Sequence, residues 1–291
     1  MSEVAGVLVL HEPGPEGDEA VRRAAGLVRS LFVVDNSAPP ARLEDLPAQV
    51  SLIRNGANLG VARALNQGML AARAAGFRYA LLLDQDSRMS GSCLGRLGAA
   101  HGRLGDAVIV GPRVLYGPEA PPPPRAGRAV RRVTVAISSG SLVDLARLEA
   151  VGLHDEGLFV DYVDFDLCLR AAARGLAVYR VDEARLYHRL GNQRLARLLG
   201  LRFTPTHHSS ERRYYKTRNM LLVWARHGRA HPRFMLASAR KFVAEFLQIW
   251  LFEDSKLAKT LACLEGAADA LRGRTGPRPG PLARPPASGA R

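Results

Sequence analysis

The sequence predicts an α/β fold in which a mostly parallel sheet is flanked by helices and followed by a helical C-terminal part. Short apolar runs alternate with amphipathic helical patterns through the first half of the 291 residues. Such alternation is typical of a parallel sheet with right-handed crossover connections. From residue 189 onward the pattern becomes helical. Three predicted strands end in polar clusters, and open α/β sheets bind ligands at such strand ends.

The predicted elements follow from apolar periodicity and from the residues that interrupt it. Strands are predicted at residues 4–10, 31–34, 49–54, 79–83, 133–137 and 177–181. Helices are predicted at 18–31, 60–75 and 164–174, and Gly76 and Gly175 close the last two. We expect an exposed Pro-rich loop at 117–127 and helices over 189–270. The predicted units are an α/β domain at 1–190, a helical region at 191–271 and a disordered basic tail at 272–291.

Composition restricts the class of protein. The apolar fraction of 47% is sufficient for a sizeable core, and the three cysteines form no CxxC pair, which favours a reducing compartment. We expect no targeting segment, and no stretch reaches the roughly 18 apolar residues of a spanning helix. The formal charge of +14, with five arginines in 272–291, is compatible with nucleic acid, anionic lipid or a phosphorylated substrate.

The most informative motif is Asp84-Gln85-Asp86 at the end of an apolar run. Residues 80–83 predict a buried strand, so both aspartates emerge at its carboxyl end. Side chains two residues apart in extended chain point the same way. Two carboxylates suit a Mg²⁺ or Mn²⁺ ion that carries a diphosphate. The alternative is a loop of solvated aspartates, which so short a pattern does not exclude.

Two other polar clusters follow strands and should lie at the same sheet edge. Asp35 is suited to a base N–H or a ribose hydroxyl, but taken alone it favours a turn or helix-cap role. Asn58 is a predicted N-cap, and Gly60 would let a phosphate approach the helix N-terminus that follows. Asn66, one turn later, is unusual in a helix interior. A capped surface helix is the competing interpretation.

Residues 159–170 hold three acids among apolar and aromatic neighbours. Asp166 and Arg170 form an i,i+4 pair, and acids in a first helical turn complement the dipole, so Asp166 has a structural explanation. Asp164 is not explained so readily. A carboxylate held against aromatic neighbours in a cleft is what a general base requires. We therefore interpret Asp164 as a base rather than a cap.

Three later segments carry polar donors or apolar surface. His188 follows a strand and is either structural or, beside a metal site, a ligand or phosphate contact. In 207–219, Arg212 and Arg213 suit phosphate oxygens, with a solvated basic helix face as the alternative. Residues 234–252 mix aromatic, aliphatic and basic side chains. That segment suits a membrane surface, but packing on the domain or a second subunit is the favoured interpretation.

In this order, the motifs resemble the family 2 inverting glycosyltransferases with the GT-A fold, and within them the bacterial rhamnosyltransferases. The likeness rests on residues 34–37, 58–66, 83–87, 139–141, 159–170 and 214–219. It implies a nucleotide-sugar donor, with dTDP-L-rhamnose as first choice, a Mn²⁺ or Mg²⁺ cofactor, and a saccharide or lipid-linked saccharide acceptor. It further implies a cytoplasmic protein of polysaccharide or cell-wall biosynthesis without a nucleic-acid partner, and leaves peripheral membrane contact and homo-oligomerisation open.

The resemblance also implies roles for individual residues. Asp164 matches the catalytic base. The expected metal ligands are Asp86, Asp84 and the trailing His188, with Asp86 as the direct one. The residues expected to contact the donor nucleotide are Asp35, Asn58, Gly60, Asn66 and Asp84. The residues expected near the diphosphate or acceptor are Arg212, Tyr215 and Arg218.

The chain departs from the family pattern in two places. His11-Glu12-Pro13 stands where a Thr-Tyr-Asn type sequence is usual, and Val163 precedes Asp164 where many relatives carry an acid. Three alternatives therefore stay open. The donor is another sugar, such as UDP-galactofuranose, UDP-glucose or UDP-GlcNAc; the protein is an inactive relative; or it is a non-catalytic nucleic-acid- or membrane-binding protein that uses its basic charge.

Overall fold

A computed structural model describes residues 3–89, 91–115, 129–187, 196–198 and 201–279. The predicted Pro-rich loop lies outside these residues, as do His188 and residues 280–291. The strands are β1 (Val4–Leu10), β2 (Leu31–Asp35), β3 (Val50–Arg54), β4 (Tyr79–Asp84), β5 (Arg88–Met89), β6 (Ala107–Leu115), β7 (Val130–Val133), β8 (Leu142–Asp144), β9 (Ala177–Tyr187), β10 (Ala196–Leu198) and β11 (Leu201–Phe203). The helices are α1 (Gly17–Ala25), α2 (Val61–Ala74), α3 (Cys93–His101), α4 (Leu145–Val151), α5 (Val163–Ala173), α6 (Ser210–His227), α7 (Pro232–Phe252) and α8 (Lys256–Leu271).

Within the described part of the chain, one mixed sheet forms the centre of the fold. Its strand order is β3-β2-β1-β4-β8-β6-β9-β5, and β7 also pairs with β9. Strands β1 to β4 are parallel, whereas β8 runs antiparallel to both β4 and β6. The reason is the turn before β8, in which Gly140 N donates to Leu82 O (2.7 Å) at the carboxyl end of β4. The chain therefore enters the sheet from that edge, and the sheet is mixed rather than mostly parallel.

The sheet is covered by helices on both faces, as the alternating pattern predicted. One apolar cluster joins the sheet to α1 and α3, and a second joins it to α2, α4 and α5. Every residue of β1 is buried, because a central strand packs against side chains on both faces. The predicted α/β class with a helical C-terminal part is thus confirmed, and the carboxyl ends of β1, β2 and β4 share one edge.

Several predicted elements differ from the observed ones. A strand was predicted at 133–137, but the observed strand β7 ends at Val133. Val135 and Ala136 pack against the second apolar cluster instead. Strand β6 was not predicted, and β9 is longer than expected because it pairs with β6 along its length. The β10–β11 hairpin stands where a helix was predicted. Helices α6 to α8 confirm the rest of the C-terminal prediction, and no helix of the described residues is long and apolar enough to cross a membrane.

The beginning of the predicted disordered tail has a defined place in the structure. Gly276 N donates to Gly157 O (2.6 Å), Arg218 Nη1 donates to Gly276 O (2.6 Å), and Arg278 N donates to the Tyr215 hydroxyl (2.6 Å). Composition alone favours disorder here, but side chains of α6 bind this backbone. The prediction is therefore corrected for residues 272–279.

Candidate active site

The two aspartates of the Asp84-Gln85-Asp86 motif lie in a tight turn at the carboxyl end of β4. Asp84 is the last residue of β4, and Ser87 closes the turn, with Ser87 N donating to Asp84 O and Asp84 N to Ser87 Oγ (both 3.0 Å). The two carboxylates are therefore joined by a turn and not by the extended chain assumed from the sequence. Arg23 of α1 braces this turn, because Nη2 donates to Gln85 O (2.8 Å) and Nε to Ser87 O (3.2 Å).

The unusual His11-Glu12 segment lies beside this turn. His11 N donates to Gln85 Oε1 (2.8 Å), and Glu12 N donates to Ser37 Oγ (2.9 Å). The segment thus connects the β2 and β4 ends of the same sheet edge. Its sequence departs from the family pattern, but its position at the edge is the one where ligands bind in open α/β sheets.

Arg212 links the acids at this edge to the loop before α5. Its Nε and Nη2 atoms each donate to Asp161 at 3.2 Å, a bidentate pair. The charge of Asp161 is the main cause that raises the pKa of Arg212, and the charges of Asp84 and Asp86 act in the same direction. The carboxylates of the β4 turn and of Asp161 therefore act on the same guanidinium, although their residues are far apart in sequence.

Asp164 lies at the N-terminus of α5, close to this group. Its carboxylate accepts from Phe165 N (2.9 Å) and from Ser138 N (3.3 Å), and its side chain is only partly exposed. Burial is the main cause that raises the pKa of Asp164 to about 7, and the negative charge of Asp161 raises it further. A carboxyl group that titrates near neutral pH, in reach of solvent, is suited to proton transfer.

Asp166 has the structural role that the sequence predicted. Arg170 Nε donates to it at 2.8 Å, and His227 Nε2 lies 3.0 Å from its other oxygen. Burial would raise its pKa, but the hydrogen bonds from Arg170 and His227 lower it overall. The two aspartates of α5 are thus distinguished by their partners among the described residues, where Asp166 pairs with Arg170 and Asp164 accepts from backbone N–H groups.

The loop that carries Asp161 and leads to Asp164 is backbone-strained. Phe159 has φ 65° and ψ −66°, and Val160 N donates to Leu158 O (2.7 Å), which together define a γ-turn. Asp161 and Tyr162 also have positive φ, at 61° and 62°. Each such residue costs about 1–3 kcal/mol, so the surrounding structure must hold the loop in place.

Helix α6 supplies the groups that hold this loop. The side-chain nitrogen of Asn219 donates to the carbonyls of Leu158 (2.7 Å), Val160 (2.6 Å) and Asp161 (3.0 Å). Asn219 is completely buried, so these hydrogen bonds have little competition from water. The Asn219 amide therefore fixes the backbone on which Asp161 is presented to Arg212.

Two residues expected near the diphosphate or acceptor hold the strained loop together with Asn219, and these three residues are called the clamp. Arg218 is completely buried, and its Nη2 donates to Gly157 O and Leu158 O (both 3.2 Å). Tyr215 is buried and stacks on Phe159, with ring centroids 5.0 Å apart. Arg218 and Tyr215 thus support the loop within the described residues, and their expected role near the diphosphate or acceptor stays a prediction. Arg212 is the member of that predicted set that faces the acids.

The residues expected to present the N-terminus of α2 to a phosphate pack against the same loop. Gly60, at φ 86°, is the N-cap of α2, and a Cβ there would lie 2.7 Å from the Phe159 ring and 2.8 Å from its carbonyl oxygen. Ala62 N donates to Phe159 O (3.4 Å). Gly60 is thus needed for close approach of the protein's own chain, and its expected contact with a ligand stays a prediction. Asn58 is not the N-cap, because Gly60 holds that position, and Asn58 Oδ1 accepts from Gly60 N (3.0 Å) two residues later in the chain.

Asn66 and Asp35 are likewise used by protein groups. Asn66 Nδ2 donates to His154 O and to Glu156 Oε1 (both 3.0 Å), while its Oδ1 accepts from His154 N (3.0 Å). It fixes the segment that precedes the strained loop, and its expected nucleotide contact stays a prediction. Asp35 is completely buried, and its carboxylate accepts from Ser37 N (3.1 Å) and Ala41 N (2.7 Å). That is the turn role favoured for Asp35 taken alone.

The described residues contain no cluster of three or more His, Cys, Asp or Glu side chains that could hold a metal ion. The candidate ligands are the two carboxylates of Asp84 and Asp86, and the predicted third ligand, His188, lies outside the described part of the chain. Mg²⁺ and related ions are commonly held by one or two carboxylates, with the remaining positions filled by water and substrate phosphates. The donor set present therefore fits a divalent ion that arrives with a phosphorylated ligand.

Sequence reasoning missed two residues of this site. Asp161 was noticed only as one of three acids, and its pairing with Arg212 spans 51 residues. Asn219 was grouped with a run of donors without a role, because its acceptors lie about 60 residues earlier in the chain. The available signal was the spacing of Asp161 and Asp164 within an aromatic segment, which indicates two carboxylates near one helix start.

The fold agrees with comparisons to known proteins. Residues 19–154 match the family model "Glycosyl transferase family 2". A little under half of the chain is thus similar to this family, and the fold of the chain is the GT-A fold of the solved structures that it resembles. The class of proteins that the chain is similar to is the glycosyltransferases.

Among curated proteins, the chain is similar to the dTDP-rhamnosyl transferase RfbF of Shigella flexneri. The two are 28% identical over 267 residues, which is 84% of this chain and 87% of that protein. Among solved structures, TarS 1-349 of S. aureus in complex with UDP-GlcNAc has a TM-score of 0.56 at 14% identity, over 94% of this chain and 81% of that one. GalNAc-T7 with UDP, GalNAc and Mn²⁺ also has a TM-score of 0.56 at 14% identity. The match covers 76% of this chain and about half, 47%, of GalNAc-T7.

Proposed function

We propose that the protein is an inverting glycosyltransferase that moves L-rhamnose from dTDP-L-rhamnose to a saccharide or lipid-linked saccharide. The observation that carries the proposal is the position of Asp164, a partly exposed carboxyl group with a pKa raised to about 7. It lies next to Asp161 and Arg212, at the edge that also holds Asp84 and Asp86. The printed name of the Shigella relative supports the choice of donor.

The roles of the residues follow from their charge and exposure. Asp164 accepts the proton of an acceptor hydroxyl as that oxygen attacks the anomeric carbon. Attack from the side opposite the diphosphate inverts the configuration, and no covalent sugar–enzyme intermediate forms. Arg212, whose side chain is partly exposed beside Asp161, is suited to bind diphosphate oxygens.

A divalent cation would be held by Asp86 and Asp84. When bound, such an ion neutralises charge on the departing diphosphate. Mn²⁺ accompanies UDP in the GalNAc-T7 structure, which supports manganese as the first ion to test. The nucleotide contact proposed for Asp35 becomes indirect, because this buried carboxylate shapes the turn at residues 36–41.

A second candidate keeps the fold and changes the sugar to one carried by UDP. The test is release of nucleoside diphosphate by the full chain from dTDP-L-rhamnose, UDP-glucose, UDP-GlcNAc and UDP-galactofuranose, with and without Mn²⁺. We expect Mn²⁺-dependent turnover of dTDP-L-rhamnose, which Asp86→Asn lowers strongly. Turnover of a UDP-sugar instead would change the donor. A basic nucleic-acid-binding protein would release nothing and would bind DNA with a steep salt dependence.

A further inference from the structure

Helix α7 exposes a row of large apolar side chains. Leu236, Val243, Leu247, Trp250 and Leu251, together called the α7 face, are each between 44% and 56% exposed. Their spacing places them on one side of the helix. Helix α8 adds Leu257, Leu261, Leu264 and Leu271, and these nine are most of the exposed large apolar residues in the described part of the chain. An apolar surface of this extent marks an interaction site.

The opposite side of α7 is already fixed to the protein. The Tyr162 hydroxyl lies 2.7 Å from Ser238 Oγ, the Phe165 and Phe234 rings meet edge to face at 5.8 Å, and Ile249 is buried. Helix α7 therefore does not depend on its exposed side to be held against the domain. The α7 face is presented outward in a preformed conformation.

The exposed charges along α7 and just before it are basic, and the exposed acid Asp254 follows the end of the helix. Arg229, Arg233, Arg240 and Lys241 are exposed along or just before the helix. Seven-residue spacing puts Arg233 and Arg240 in line with Leu247. The carboxylate that α7 carries, Glu245, is buried and accepts from Arg213 Nη1 at 3.1 Å. The exposed side of α7 thus combines apolar and basic groups without a carboxylate.

We propose that the α7 face docks on a lipid bilayer that contains anionic phospholipids. A helix with Leu and Trp side chains on its outward side and basic residues beside them lies in the plane of the interface, and its cations bind anionic headgroups. Trp250 suits the headgroup level, where Trp is enriched. A second copy of the chain fits less well. A symmetric contact through α7 would bring two sets of arginines together, and like charges across an interface are costly.

The test is flotation of the full chain with vesicles of phosphatidylcholine, alone or mixed with phosphatidylglycerol. We expect binding to the mixed vesicles, weaker binding at high salt, and little binding to phosphatidylcholine alone. Leu247→Asp with Leu251→Asp should abolish binding. Arg240→Gln with Lys241→Gln should weaken it, by about fivefold for each charge removed.

Matched controls lie on other helices. Leu70→Asp on α2 removes another exposed leucine, and Arg103→Gln removes an exposed arginine after α3. Both should bind vesicles as the natural chain does. Circular dichroism verifies that each variant is folded, and release of nucleoside diphosphate separates this proposal from the proposed activity.

Two results would overturn the proposal. One is undiminished vesicle binding by the folded Leu247→Asp, Leu251→Asp variant. The other result has two parts. The natural chain forms a dimer by light scattering and does not bind vesicles, and the variant is a monomer. The second result would assign the α7 face to another copy of the chain.

Discussion

Replacing Asp164 by Asn should stabilise the protein at alkaline pH. Burial raises the pKa of Asp164 from 3.8 to about 7, so ionising it in the folded protein opposes folding. The folded-state pKa of Asp164 is above the unfolded one. The stability that neutral Asp164 contributes to the natural chain is therefore fully present below pH 4 and is lost as pH rises through 7. Asparagine carries no charge, so the variant should not show this loss.

The magnitude follows from the same values. Each unit of difference between the unfolded pKa of 3.8 and the folded pKa of about 7 corresponds to about 1.4 kcal/mol. The gain in unfolding free energy on replacing Asp164 by Asn is therefore at most about 4 kcal/mol above pH 8. Two effects reduce it. Water reaches the partly exposed side chain, and the asparagine amide cannot accept from both Phe165 N and Ser138 N, which costs about 1 kcal/mol. We expect the variant to gain about 1–3 kcal/mol at pH 8 and nothing near pH 4.

The assay is urea unfolding of both proteins at several pH values between 5 and 9, with the difference in free energy of unfolding plotted against pH. Asp254→Asn is the control, because Asp254 is exposed in the turn before α8 and should show no such trend. A difference that stays constant over this range, or a variant that is less stable throughout, would refute the reasoning about Asp164.

Three other substitutions test the loop and its partners. Asn219→Ala removes the donor to three carbonyls, so we expect a loss of about 2 kcal/mol in stability and a larger loss in turnover. Because water then reaches the loop, the acid limb of the pH–rate profile should shift to lower pH. Gly60→Ala places a Cβ against Phe159 at positive φ and should cost about 3 kcal/mol in thermal unfolding. Arg212→Lys loses the bidentate contact to Asp161 and should weaken donor binding about tenfold, measured by calorimetry.

Each of these has a control and a contradicting outcome. Thr217→Ala loses a hydrogen bond to Arg213 O within α6 without touching the loop, so it should leave the pH–rate profile unchanged. If Asn219→Ala behaves like it, the clamp does not position the site. Gly95→Ala, at an open position of α3, should not destabilise the chain. Equal donor affinity of Arg212→Lys and the natural chain would contradict the diphosphate role.

Local signals were sufficient for much of the fold. Apolar runs bounded by turn residues predicted β1 and β4. Gly76 follows the end of α2 at φ 84°, as expected for a left-handed residue that closes a helix. Strand β8 was not predictable in direction, because three residues carry little periodicity and its orientation depends on the turn at Gly140.

The candidate site was predictable by residue type but not by burial. Asp84, Asp86 and Asp164 were identified because strand ends and helix starts are visible in the sequence. Arg218 looks the same in sequence as Arg212, yet it is buried against carbonyls about 60 residues earlier. Only tertiary structure distinguishes Arg212, which pairs with Asp161, from Arg218, which supports the loop.

The rate of nucleoside diphosphate release by Asp164→Asn, with donor, acceptor and Mn²⁺ present at pH 8, tests the central claim most directly. Removing a general base lowers the rate by roughly a hundredfold or more, and the variant should still bind the donor. A rate equal to that of the natural chain would contradict the assignment of Asp164 as the base.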